Sequence, residues 1–231
     1  MTTLHLRPTA ALAPRALLPG DPGRALHLAQ ALLDEPKMFN HHRGLWGYTG
    51  TAADGEPLTI QSTGMGGPSA AIVLEELATL GVRRAVRVGT CLGLGDDLRL
   101  GDLVVAREAL AADGTSRALG AADRVAPDPG LLTALRDGGR ATPGLVVSTD
   151  LFYEPDDTRN DAWARTGAIA VEMECAALFA VGGRRGVQLG GLLAVSDLLD
   201  GKGRRSRIAD DDLLVAAEAM GALAISALAA R

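Results

Sequence analysis

The chain has 231 residues, 47% hydrophobic, 22% charged and 3% aromatic, with 23 basic against 28 acidic groups and a formal charge of −5. That length fits a single α/β domain, 1–231, of the ~200–250 residue class, which buries a core without disulfide or metal staples. Few aromatic platforms and an acidic balance argue against stacking on single strands or tracking a phosphate backbone, so no nucleic-acid partner is expected.

Along the chain, short apolar runs ending in Gly or Asp alternate with longer windows of helical character. Strands are expected at 15–19, 58–63, 85–88, 102–107, 145–148 and 191–195, and helices at 23–33, 68–80, 129–137, 171–184 and 210–229. Pro68 suits a first helical turn, where a missing N–H costs nothing, and Gly81 stops that helix. Residues 111–128 read as loop-rich, and the polar run 200–207 (DGKGRRSR) as either a mobile lid or a plain surface loop. This alternation without a break in composition indicates one α/β domain. The apolar stretch 213–230 carries Glu218 and barely reaches the ~20 residues a bilayer requires. It is expected to pack as a helix on a soluble core, with no membrane partner. Pro8 and Pro14 interrupt the start of the chain before any signal-like apolar region forms, and Cys91 and Cys175 stand outside any CxxC. Both features point to a reducing, cytoplasmic setting.

Only Lys37 and Lys202 of the 23 basic residues are lysines. Genome composition and selection for oxyanion-binding guanidinium groups explain that bias equally well. Four segments carry candidate chemistry. In LLPGDPGRA (17–25) a strand runs into a Gly/Pro turn and a helix, an anion pocket with Arg24 one turn on, or a turn with a surface arginine. In VRVGT (86–90), Arg87 lies inside a β-branched strand and must face a carboxylate or an anionic ligand, with Thr90 adding a hydroxyl. VEMEC (171–175) opens the expected 171–184 helix; Glu172 and Glu174 either favour its dipole or accept bonds from vicinal sugar hydroxyls. VSD (195–197) places Ser196 and Asp197 at a strand's carboxyl end, where ligands of parallel sheets bind. GMGGPS (64–69) lacks the third glycine of a dinucleotide fingerprint, and no P-loop is present.

Together with HHRGLWGYTG (41–50), STGMGGPSAAIVLEEL (62–77), VRVGTC (86–91), VSTDLFY (147–153), VEMECAALF (171–179) and AVSD (194–197), the chain resembles the nucleoside phosphorylase family. The resemblance lies in its trimeric-to-hexameric branch, near bacterial purine nucleoside phosphorylases. It implies a central mixed β-sheet partly closed into a barrel and flanked by helices. It implies a glycosyltransferase that splits purine nucleosides with inorganic phosphate as co-substrate, without cofactor or metal. The resemblance places phosphate on Gly20, Arg24, Arg87 and Thr90, with Arg43 supplied by a neighbouring subunit. It places ribose on Met65, Met173 and Glu174, with His5 reaching across. It places the base on Cys91, Phe152, Glu172, Ser196 and Asp197, with Asp197 protonating the leaving purine. Asp197 must hold a proton when it acts, and an arginine of the 201–207 loop, Arg207 foremost, is expected to close on it. Catalytic positions are thus Asp197 and Arg207. The shared site implies a dimer unit, assembled as a hexamer built as a trimer of dimers, with His41 and His42 lining the subunit contact. His27, His41 and His42 have no partners at metal-ligand spacing.

The base pocket distinguishes the members. Uridine phosphorylases carry Gln and Arg where this chain has Asp156 and Thr158, and lack the Ser196–Asp197 pair; both features favour a purine. Arg159, one position off, keeps a uridine enzyme open, and VEMEC keeps a methylthioadenosine phosphorylase open. Arg24 and Arg87 argue against a hydrolytic nucleosidase, and Asp197 with Glu174 against a mere nucleoside binder. Leu92 departs from the family's glycine and is expected to narrow the base pocket or shift its loop.

Overall fold

The computed structural model describes residues 3–94, 97–156, 158–199 and 203–230. Met1, Asp157 and positions 200–202 of the polar loop, all touched by the sequence readings, lie outside the described residues. In chain order the elements are β1 (Arg15–Leu18), α1 (Pro22–Leu32), β2 (Leu33–Asn40), a 3-10 turn (His42–Gly44), β3 (Gly47–Ala52), β4 (Pro57–Gln61) and α2 (Gly67–Leu80). Next come β5 (Arg84–Gly93), β6 (Leu103–Ala111), α3 (Gly114–Ala118), β7 (Arg124–Val125), α4 (Pro129–Asp137) and β8 (Ala141–Ser148). The chain ends with α5 (Arg159–Ala164), β9 (Ala168–Glu172), α6 (Cys175–Arg185), β10 (Gln188–Leu199), β11 (Arg205–Arg207) and α7 (Asp210–Ala229).

One mixed sheet links the strands. β10 pairs with both β5 and β6, and the circuit β5–β9–β8–β6–β10 closes into a five-stranded barrel. Closure removes free edges from the most apolar strands. From β5 the sheet runs outward through β1, β4, β3 and β2, and β11 folds back antiparallel on β10. Two apolar clusters back the sheet. One packs α2 and α6, through residues such as Leu74, Leu77 and Leu178, and the other packs α1, α4 and α7. In α7 the buried Leu213, Ala217, Met220, Ala224 and Leu228 recur every three or four residues, one helical stripe laid on α1, α4 and β10. The C-terminal apolar segment is a core helix, as expected.

The edge departs from expectation. β2 (LDEPKMFN) holds Pro36 and three charges, which only an edge strand tolerates, and β3 (GYTGTA) is rich in small residues. Neither carries the apolar run that announces a strand. Behind them Arg15 reaches Asp54 through two 2.6 Å bonds and the carbonyl of Pro57 at 2.8 Å. It ties the β3–β4 hairpin to β1. The 111–128 segment is loop-rich, as expected, but also holds the short α3, whose Asp113 cap accepts from Ser116 N at 2.7 Å, and β7. The helix expected from residue 171 begins instead at Cys175. Val171 and Glu172 end β9, so the two acids are not both in a first helical turn.

Candidate functional site

The site forms where β1, β5, β9 and β10 deliver their ends to two glycine turns. At the first, after β1, Thr63 N donates to Pro19 O at 2.8 Å and Gly64 N to Gly20 O at 3.0 Å. A Cβ on Gly20 would lie 3.2 Å from Gly64 O and 3.3 Å from Arg87 Nη1, so glycine lets that guanidinium sit close without being displaced. Asp21 then caps α1, accepting from Arg24 N at 2.6 Å. The helix N-terminus is therefore already capped by a carboxylate, which leaves the Arg24 side chain as the charged anion-binding group of this turn.

Arg87 pairs in register with Leu18 of β1 and Gly191 of β10 and is 4% exposed. Its Nη2 lies 2.6 Å from Glu174 Oε2 and its Nη1 3.1 Å from Thr63 Oγ1, while its buried Nε has no partner among the described residues. Of the two partners expected for Arg87, the structure shows the carboxylate, and the guanidinium still keeps a donor unspent. Glu174 also accepts from Gly66 N at 2.7 Å. Gly66 sits at φ 83°, ψ 159°, a conformation closed to side-chain-bearing residues, and this turns its N–H to the carboxylate. Partly buried Arg24 completes the cluster. Burial and the neighbouring Arg87 guanidinium hold its pKa below the usual arginine value; Arg207 adds to the effect, and Asp21 and Glu174 oppose it. Three like-charged guanidinium groups therefore act on one region, an arrangement that favours a bound anion. Thr90 stands three residues beyond Arg87 on β5, opposite Ala194 of β10, and is only partly buried.

Asp197 is brought in by an irregularity. β10 pairs Val195 with Cys91 and Asp197 with Leu92, leaving Ser196 as an extra residue, and such a bulge re-aims the side chains beside it. Ser196 Oγ lies 2.7 Å from Asp197 Oδ2 and 3.3 Å from Cys91 O. On the adjoining strand Arg207 stands directly opposite Asp197, with Nη1 3.4 Å from Oδ1, and Arg205 Nη1 lies 3.7 Å from the same atom. Arg205 also lies 4.6 Å over the ring of Phe152, whose edge meets Tyr153. Sequence reasoning singled out Arg207; two arginines converge on Asp197, and Arg205 is the one on the aromatic face.

Met65 and Met173 line one cleft of about 780 Å³ with Ile72, Thr115 and Leu119. Glu172 and Cys91 are both buried. The Glu172 carboxylate bonds Ser148 Oγ and the N–H groups of Glu174 and Cys175. Cys91 is 3% exposed; burial, then the Glu172 carboxylate, pushes its thiol far up, leaving a neutral packing group. Leu92, expected to narrow the base pocket or shift its loop, packs against the cluster of Val147, Trp163 and Val171.

His5 and Arg43 lie elsewhere. Glu76 of α2 accepts from the N–H groups of Leu4, His5 and Leu6 and meets His5 Nδ1 at 2.8 Å. Burial alone would raise the Glu76 pKa, but these donors outweigh it and hold the carboxyl below its usual range. His42 Nδ1 contacts His5 O at 3.1 Å, so the start of the chain and the 3-10 turn share one surface. Arg43 in that turn is exposed, adopts φ 59°, and makes no hydrogen bond or ion pair among the described residues. A non-glycine residue in that region costs about 1–3 kcal/mol and is characteristic of ligand clamps. Neither residue touches the Arg87–Glu174 pair of its own chain.

Sequence reasoning missed Thr63 and Ser148, and ranked Arg205 behind Arg207. Thr63 lies within a motif notable for its glycines, Ser148 ends an apolar strand, and Arg205 is one of three arginines in a short run.

A family model described as phosphorylase superfamily matches residues 14–230. A DeoD-type purine nucleoside phosphorylase of Clostridium beijerinckii is 36% identical over 84% of this chain and 86% of its own. One from Geobacillus kaustophilus is 39% identical, covering 82% and 83%. A guanosine phosphorylase of Halorubrum lacusprofundi is 37% identical, covering 86% and 84%. Among solved structures, uridine phosphorylase from Vibrio fischeri matches with TM-score 0.84 and 25% identity over 95% of this chain and 93% of its own.

Proposed function

Because the chain belongs to the phosphorylase superfamily, we propose that it is a purine nucleoside phosphorylase. It joins phosphate to C1′ of a purine (deoxy)ribonucleoside and releases free base and (deoxy)ribose 1-phosphate. The observation that carries this reading is the buried Arg87–Glu174 pair with Arg24 beside it and Asp197 on the adjacent strand end. Arg24, Arg87, Thr90 and the backbone at Gly20 hold phosphate, guanidinium groups matching its planar edges. Glu174 accepts from the 2′ and 3′ hydroxyls, and Met65 and Met173 flank the sugar. A phosphate oxygen attacks C1′ as the glycosidic bond breaks, and its electron pair passes into the purine, which Asp197 protonates at N7. Ser196 orients Asp197, and Arg205 and Arg207 hold its carboxyl group. Phe152 offers its face to the base once Arg205 withdraws.

Purine is favoured over uracil by the groups beyond Phe152. Asp156 accepts from Thr158 N and Oγ1, and Arg159 is committed to Glu154 at 3.3 Å and to the Trp163 ring. Neither is free to read a uracil edge. Phosphate serves as co-substrate and no cofactor is required. The two buried free cysteines suit a cytoplasmic enzyme. Incubation with inosine, guanosine, adenosine, methylthioadenosine and uridine tests the specificity: turnover of a purine ribonucleoside supports it, and turnover of uridine alone overturns it.

His5 and Arg43 serve the site of the partner subunit in a dimer unit, which three such units assemble into a hexamer. Leu4 at 71% exposure, Met65 at 85% and Ile72 at 42% supply apolar surface for that contact. Arg43→Ala and Arg24→Ala are each expected to be nearly inactive alone. Mixed and reassembled, they regain about a quarter of wild-type activity, because half the dimers are mixed and each of those has one intact site. Failure of all mixtures to recover activity would place Arg43 outside a shared site.

A further inference from the structure

Helix α6 starts at the residue that holds the sugar, and that creates a conflict. Glu174 is at the N-cap position, where a side chain ordinarily turns back to satisfy the first N–H groups of its helix. Its carboxylate instead faces Arg87 and Gly66 N and makes no capping bond. The first N–H groups are buried nonetheless, and other residues satisfy them. Glu172 accepts from Glu174 N at 2.8 Å and from Cys175 N at 2.9 Å; Ser148 Oγ accepts from Ala176 N at 2.9 Å and donates to Glu172. Ser148 and Glu172 stand opposite each other on β8 and β9, so the barrel wall itself presents the cap.

We infer that Glu172 and Ser148 are positioning residues that cap α6 in place of Glu174 and so free the Glu174 carboxylate for the sugar hydroxyls. The inference rests on the phosphorylase reading of the site and reassigns Glu172 from base contact to scaffold. The cap is charge-sensitive. Burial, then the Glu174 carboxylate, pushes the Glu172 carboxyl up to about 7, against the bonds from Ser148 and Glu174 N and the charge of Arg87. The other ionisable groups acting with it are the thiols of Cys91 on β5 and Cys175 on α6, both held neutral by burial. Ionised Glu172 accepts strong, charge-assisted bonds from the helix; protonated Glu172 accepts weaker ones. The sugar grip therefore tightens as pH rises through about 7.

Steady-state kinetics of wild type and Glu172→Gln, from pH 5.5 to 8.5 at saturating phosphate, test this. At pH 8 the variant is expected to raise the nucleoside KM by about 3- to 30-fold, the range a lost helix cap commands, with a smaller change in phosphate KM. Its nucleoside KM should also lack the pH-dependent fall expected of wild type near neutrality; phosphate's own titration is common to both proteins and cancels in their ratio. Ser148→Ala keeps the carboxylate and should raise nucleoside KM while retaining the pH dependence, and it decides the matter if Glu172→Gln does not fold. A nucleoside KM and pH profile matching wild type would overturn the inference. If the wild type proves inactive, the phosphorylase reading fails instead, and the cap is judged by amide exchange at Glu174, Cys175 and Ala176. Protection that rises through pH 7, beyond the intrinsic rate change, supports it, and protection independent of Glu172 ionisation rejects it.

Discussion

Arg87→Ala is expected to abolish phosphate-dependent turnover and to weaken the fold together. Removing one donor set from a preorganised oxyanion site lowers kcat/KM by at least ~10²–10³, and Arg87 provides the most buried of these guanidinium groups. The same substitution strips the 5%-exposed side chain's partner from Glu174, itself 6% exposed, and an uncompensated buried charge costs about 3–5 kcal/mol. Arg87→Lys separates the two effects. It keeps the charge beside Glu174 but loses the planar fork, so most stability should return while phosphate KM stays raised. Urea unfolding and phosphate titrations read the two quantities. A stable, fully active Arg87→Ala protein would remove the basis of the phosphate assignment.

Asp197→Asn should act on the leaving group alone. Asn fills the same bulge beside Ser196 and Arg207, so binding changes little, but it cannot deliver a proton to N7. A fall in kcat of roughly 10²–10⁴ follows from losing the general acid. A nucleoside already methylated at N7 leaves as a neutral base without that proton, so Asp197→Asn should turn it over at close to the wild-type rate. Equal losses on inosine and on its N7-methyl derivative would show that Asp197 positions rather than protonates.

Much of this site is legible in the sequence because its residues break local rules. Arg87 interrupts a β-branched strand, and an acid pair stands where an apolar segment changes character. The division of labour between the two acids is not legible. Val171 continues the apolar pattern of the helix that follows, so the end of β9 merges with the start of α6, and only the three-dimensional bonds separate Glu172, which accepts from the helix N–H groups, from Glu174, which faces Arg87 and Gly66. Arg205 and Arg207 flank one residue, and their roles depend on how β11 registers on β10 after a chain reversal, which spacing does not encode. The barrel is hidden for a related reason. Its closure depends on β10 pairing with two strands far earlier in the sequence, β5 and β6, whereas β2, at the sheet edge, and β3 beside it escape notice because neither carries an apolar run.

His5 and Arg43 show the opposite limit. Nothing in their own surroundings gives them a catalytic task; His5 is bound to Glu76, and Arg43 faces outward on a strained turn. The task proposed for them requires a second chain.

The central claim is that phosphate, not water, accepts the ribosyl group. The measurement is product analysis with a purine ribonucleoside, with and without inorganic phosphate. Free purine and ribose 1-phosphate should appear in equal amounts, and only when phosphate is present. Base released at the same rate without phosphate, with free ribose as the second product, would contradict the account.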